Sequence, residues 1–135
     1  MTTTRDWGQS RHRERAELLG YSIEANDHGG STGRWCPAPF MSNSQGRVHG
    51  GLVGTIIDDI AAIALRSSDP SIATSSTVAM HIDYLRPLVI GADYVVTGEV
   101  LRIGGRLAVA DARIVDAEGQ LSVRGSATFA ITRSA

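Results

Sequence analysis

"GGLVGTIIDDIAAIALRSS", residues 50–68, is apolar along most of its length and shows no strand alternation. The spacing predicts a helix from Gly50 to about Ser67, roughly 27 Å long, ended by Asp69 and Pro70. It is the one long apolar helix the chain offers. On a wheel of about 100° per residue, Leu52, Val53, Ile56, Ile57, Ile60 and Ile63 make the bulky face. Asp58 falls opposite, among Gly54, Ala61, Ala62 and Leu65, mostly small residues that leave room for a ligand. Asp59 falls at the edge near Thr55 and Arg66, either of which can satisfy it. An unpartnered buried carboxylate is costly, so both aspartates need a partner or a task.

Downstream the pattern changes to strands. In "TVAMHIDYL" (77–85) Val78, Met80, Ile82 and Tyr84 alternate with Thr77, Ala79, His81 and Asp83. "DYVVTGEVLRI" (93–103) and "RLAVADARIVD" (106–116) flank Gly104-Gly105, a hairpin signal, and "DAEG" turns the chain into "QLSVRGSATFAIT" (120–132). Upstream, residues 1–8 read as a loose terminus, Gln9 to Leu19 as a short helix ended at Gly20, and "YSIEANDHGGSTGRWCPAP" (21–39) as an edge hairpin around a turn cluster. The expected class is α+β, an antiparallel sheet of about five or six strands wrapped around one long central helix. The expected organisation is a single domain over residues 1–135, with 1–15 a peripheral N-terminal segment.

Composition excludes several function classes. The formal net charge is -1 and the arginines are scattered apart from Arg11, Arg13 and Arg15, so no basic stripe marks a nucleic-acid binder. Cys36, the single cysteine, rules out an internal disulfide framework and has no clustered partners for zinc. His81 and Asp83, two residues apart on one strand face, form no metal signature, and no metal is predicted. The polar start "MTTTRDWGQSRHRER" lacks a signal-peptide core, no window approaches a membrane span, and the expected location is cytoplasmic.

"NSQGRVHGG" (43–51), then "LVGTIID" (52–58), then "HIDYLRPLVIGADYVVTGEVLRIGGRLAVADARIVDAEGQ" (81–120) resemble the hotdog-fold acyl-CoA thioesterases of the phenylacetate-pathway, PaaI-like, subgroup. The resemblance covers about residues 15–132. It implies that Asp58 is the catalytic carboxylate, as nucleophile or general base, and that the Gly50 backbone N–H polarises the thioester carbonyl. It also implies that Asn43 and His49 help place the water and the thioester, and that the Thr77 hydroxyl orients the nucleophilic water. The implied substrate is an acyl-CoA, with no cofactor beyond its own coenzyme A, and the implied assembly is a homodimer or a dimer-of-dimers tetramer.

The chemistry is consistent with those residues. Thioester hydrolysis builds negative charge on the carbonyl oxygen, and a helix N-terminus offers unbonded N–H groups and about half a positive charge. Gly50 and Gly51 present no side chain to block a substrate there. Arg47, Arg86, Arg102 and Arg106 can meet the phosphates of coenzyme A. Two alternatives stay open: a noncatalytic acyl-CoA binding module, and an enoyl-CoA hydratase of the same fold, which the order of His49 and Asp58 disfavours.

Overall fold

A computed structural model of the protein describes residues 4–26 and 29–134, with side chains from Arg11 onward. The element order is α1 (Thr4–Leu19), β1 (Tyr21–Ala25), β2 (Gly30–Trp35), a 3-10 turn (Pro39–Met41), α2 (Gly50–Ser68), β3 (Ile72–Tyr84), β4 (Tyr94–Ile103), β5 (Leu107–Asp116) and β6 (Leu121–Arg133). The six strands form one sheet in the order β1-β2-β4-β5-β6-β3, and every neighbouring pair is antiparallel. This is the hotdog architecture, with α2 as the filling. Among the described residues no helix is long and apolar enough to cross a membrane.

Most of the bulky stripe of α2 does what its pattern predicts, with Leu52 and Ile63 only half-buried. Val53, Ile56, Ile57 and Ile60 are buried against Trp35, Tyr94, Val96, Ile114 and Val123. Farther along, Ala61 and Leu65 pack with Ile72, Ala108, Ala127 and Phe129. The helix lies very close to the sheet at two glycines. A Cβ at Gly98 would sit 2.6 Å from the Ile60 carbonyl oxygen, and one at Gly125 would sit 2.9 Å from the Ile57 Cγ2. The buried Ser31 hydroxyl uses the same proximity to donate to the Ile60 carbonyl at 2.6 Å.

Four expectations are corrected. The first helix starts at Thr4 rather than Gln9, because a lone Gly8 costs about 1 kcal/mol against alanine and does not by itself stop a helix; residues 1–3 lie outside the described residues, as do Asp27 and His28 of the turn cluster. β3 begins at Ile72, five residues before the alternating stretch read from Thr77, so "IATSS" is strand as well. The small side of α2 is filled rather than open: Gly54 and Ala61 are buried, and a Cβ at Gly54 would meet Met80 Cε at 3.4 Å and Ile82 Cδ1 at 3.7 Å.

The last correction concerns strand alternation. The β3–β6 register shifts between Thr77 and Ala79, so Val78 is the extra residue of a bulge. Thr77 pairs with Phe129, while Met80, Ile82 and Tyr84 pair with Ala127, Gly125 and Val123. Thr77 therefore shares the helix-facing side with Met80, Ile82 and Tyr84, instead of the opposite side that period two assigns.

Candidate active site

The loop before α2 builds the first half of the site. The Asn43 carboxamide oxygen accepts from the backbone N–H of Gln45 (2.9 Å) and of Arg47 (3.1 Å), and the Asn43 N–H donates to the Arg47 carbonyl at 2.7 Å. With that oxygen committed to its own loop, Asn43 has its amide N–H groups to offer a ligand. The His49 N–H donates to Met41 O and the Val48 N–H to Leu88 O, which fixes the entry to the helix. His49 is the N-cap residue, and its Nδ1 accepts from the Gly51 N–H at 3.1 Å. Gly50 opens the helix, so its own N–H precedes the first intrahelical bond. A cleft of about 290 Å³ beside this end is lined by Asn43, Arg47, Val48, Val53, Tyr84 and Arg86 among others.

The second half lies two turns along α2. The Thr77 hydroxyl, turned inward by the bulge, donates to Asp58 Oδ1 at 2.6 Å. Asp58 itself is half-buried.

Asp59 is satisfied by residues other than Thr55 and Arg66. Arg15 donates through Nε and Nη2 to its two oxygens at 3.2 Å, the Tyr21 hydroxyl donates to Oδ2, and His12 Nδ1 stands 3.6 Å away. These partners come from α1 and β1, out of reach of any reading of one helix. The Asp59 side chain is 16% exposed, at the edge of a recess of about 660 Å³ between α1, β1 and α2. That recess is larger than the cleft at Gly50, yet its carboxylate is already occupied.

Burial pushes the Tyr21 phenol above its ordinary value, and its bond to Asp59 and the Asp59 charge push the same way. The unfolded phenol titrates near 10, so the stability this group contributes is fully present below that pH and is lost as pH rises above it. Tyr21→Phe is expected to flatten the alkaline decline in melting temperature, read between about pH 9 and 11.

The four candidate phosphate-binding arginines separate into two pairs. Arg47 and Arg86 line the cleft at the helix start. Arg102 and Arg106 flank the β4–β5 turn, whose Gly104 and Gly105 carbonyls are bonded by Arg133 as it reaches Asp69, the C-cap of α2. Within one copy that turn lies by the C-cap of α2, at the end of the helix opposite Gly50. His81 and Asp83 sit on the outer sheet face, with His81 Nε2 3.0 Å from Asp83 and Arg124 Nε also at 3.0 Å from it. The Arg124 and His81 hydrogen bonds hold the Asp83 carboxyl below its usual range. Sequence reasoning missed Tyr84, whose hydroxyl donates to the Gly50 carbonyl at 2.5 Å; a separation of 34 positions leaves no local signal.

Comparisons with known proteins agree with this architecture. The family model of the thioesterase superfamily matches residues 45–123. Human acyl-coenzyme A thioesterase 13 is 35% identical over 88 residues, 64% of this chain and 62% of that protein, so the chain spans somewhat less than two thirds of the relative's length. A hypothetical thioesterase protein of Streptococcus pneumoniae, solved with coenzyme A, superposes with a TM-score of 0.82 at 22% identity, covering 93% of this chain and 98% of that one. PaaI of Escherichia coli, from the phenylacetic acid degradation operon, superposes with a TM-score of 0.78 at 24% identity, covering 93% of this chain and 92% of that one. By its matched sequence and its hotdog fold, the chain belongs to the thioesterase superfamily.

Proposed function

We propose that this protein hydrolyses an acyl-CoA thioester to the free acid and coenzyme A, with Asp58 as nucleophile or general base and the Gly50 N–H polarising the carbonyl. The contrast between the neighbouring carboxylates carries the reading. Asp59 is bonded to a guanidinium and a phenol. Asp58 accepts one hydroxyl bond and takes part in none of the ion pairs among the described residues. Its remaining lone pairs are free for a water or a carbonyl carbon.

In the direct route a carboxylate oxygen bonds the carbonyl carbon and the C–S bond breaks toward coenzyme A thiolate. Water then cleaves the acyl anhydride. In the water route Asp58 takes a proton from water as its oxygen adds to the carbonyl, and the tetrahedral oxyanion expels the thiolate, which is then protonated. Both routes end in a carboxylic acid and a free thiol.

The spacing along α2 supports a site shared between two copies of the chain. Gly50 and Asp58 stand eight residues apart on one helix, about 12 Å along its axis. A carbonyl with its oxygen near the donor and its carbon near the carboxylate bridges only about 7 Å. We infer a composite site, with Asn43, His49 and Gly50 from one copy and Asp58 and Thr77 from another. β3 offers the means: it is the end strand of the sheet, and Val78 (57% exposed) and Met80 (40% exposed) leave apolar surface along it. Antiparallel pairing of two such strands about a two-fold axis at His81 sets Met80 opposite Ile82 and, with Val78 as the extra residue of the bulge, brings Thr77 of one copy beside Tyr84, and so Gly50, of the other. The active unit is then at least a dimer, and two such dimers make the tetramer that the resemblance implies.

The test is release of free thiol from a panel of aromatic and aliphatic acyl-CoAs by the purified protein. Turnover of at least one is expected; binding without release would make the protein a binding module. Gly50→Ala is expected to keep the fold. The three atoms nearest the added Cβ all belong to Tyr84, at an ordinary contact distance of 3.6 to 3.7 Å, and the Gly50 φ is not positive. A methyl beside the donor should nevertheless lower turnover about tenfold by displacing the carbonyl.

A further inference from the structure

We propose that Tyr84 is a positioning residue: its hydroxyl, acting through the Gly50–Gly51 peptide, fixes the His49 ring as a hydrogen-bond donor beside the Gly50 N–H. The proposal rests on the reading above, in which this helix start holds the thioester carbonyl. The Tyr84 hydroxyl donates to the Gly50 carbonyl oxygen at 2.5 Å. At the other end of the same amide, the Gly51 N–H donates to His49 Nδ1 at 3.1 Å. Carbonyl and N–H belong to one planar unit, so a bond at either end orients the plane, and each bond polarises the other.

The consequence falls on the imidazole. A ring nitrogen that accepts carries no proton, so the neutral His49 ring bears its proton on Nε2. His49 is exposed, which leaves that N–H available to a ligand as a donor rather than a base. Tyr84 stands on the wall of the cleft with Asn43 and Arg47, at the strand edge where the second copy is inferred to pair. Partial burial raises the Tyr84 phenol above its ordinary value, so the hydroxyl keeps its proton through the neutral range.

Tyr84→Phe removes the hydroxyl and keeps the ring. The expected result is a kcat about five- to tenfold lower with KM changed less than about twofold. The melting temperature should stay unchanged, and the His49 imidazole nitrogen resonances should move from the Nε2–H tautomer toward a mixture. An unchanged kcat together with unchanged His49 resonances, in a wild type that hydrolyses acyl-CoA, overturns the Tyr84 proposal and leaves the thioesterase reading standing. A wild type that releases no thiol from any acyl-CoA overturns that reading instead, and the resonances, which need no substrate, still decide the coupling of Tyr84 to His49.

Discussion

Asp58→Asn is expected to lower thiol release by at least about a hundredfold, the low end for loss of a general base. Calorimetric binding of coenzyme A and the melting temperature should be nearly unchanged. The amide oxygen can still accept the Thr77 hydroxyl bond that now holds Asp58 Oδ1, so the shape of the site persists while its base is gone. Asp59→Asn should do the reverse. It leaves the Arg15 guanidinium, now 3.2 Å from the carboxylate, without its counter-charge, and should cost about 1 to 3 kcal/mol of stability with turnover changed only a few-fold. An inactive Asp59→Asn beside an active Asp58→Asn would move the assignment by one residue. Activity in both would leave Asp58 structural and the protein a binding module.

Mixing two inactive variants should restore activity. If the site is composite, a dimer of one Asp58→Asn copy and one His49→Ala copy has both lesions in one site and none in the other. Random reassortment of equal amounts makes half of the dimers mixed, so about a quarter of the wild-type rate should return. Each variant alone should remain at or below about a hundredth of it. A mixture no more active than its separate components would mean that each site is built within one copy, against the 12 Å rise that two turns of helix impose.

What could be read from the sequence was what neighbours in sequence decide. The apolar stripe from Leu52 to Ile63, the stop at Asp69 and the Gly104-Gly105 hairpin reappear as α2, its C-cap and the β4–β5 connection. His49-Gly50-Gly51 marked the start of the helix because capping is a local event. What escaped was set by residues distant in the chain. Asp59 is held by Arg15 and Tyr21, 44 and 38 residues earlier, whereas a helical wheel offers only Thr55 and Arg66. Arg102 and Arg106 seemed equivalent to Arg47 and Arg86 until the fold put them at opposite ends of α2. The inward turn of Thr77 depends on a register shift against β6, which no periodicity within β3 encodes.

That bulge bears on how relatives of this protein should be aligned. Val78 is the residue that faces no partner of its own, so a homologue lacking it has one position fewer between its helix-facing hydroxyl and the tyrosine of its "YLRP" segment. Aligned without a gap on Tyr84-Leu85-Arg86-Pro87, that homologue would place its hydroxyl in the column of Val78 and some unrelated residue in the column of Thr77. Such a column would look variable although the hydroxyl had been kept in every chain. Whether a relative retains a hydroxyl partner for the carboxylate at the position of Asp58 is therefore a question about which side of a strand a residue occupies, and alignment columns answer it only after a one-residue gap has been allowed at Val78.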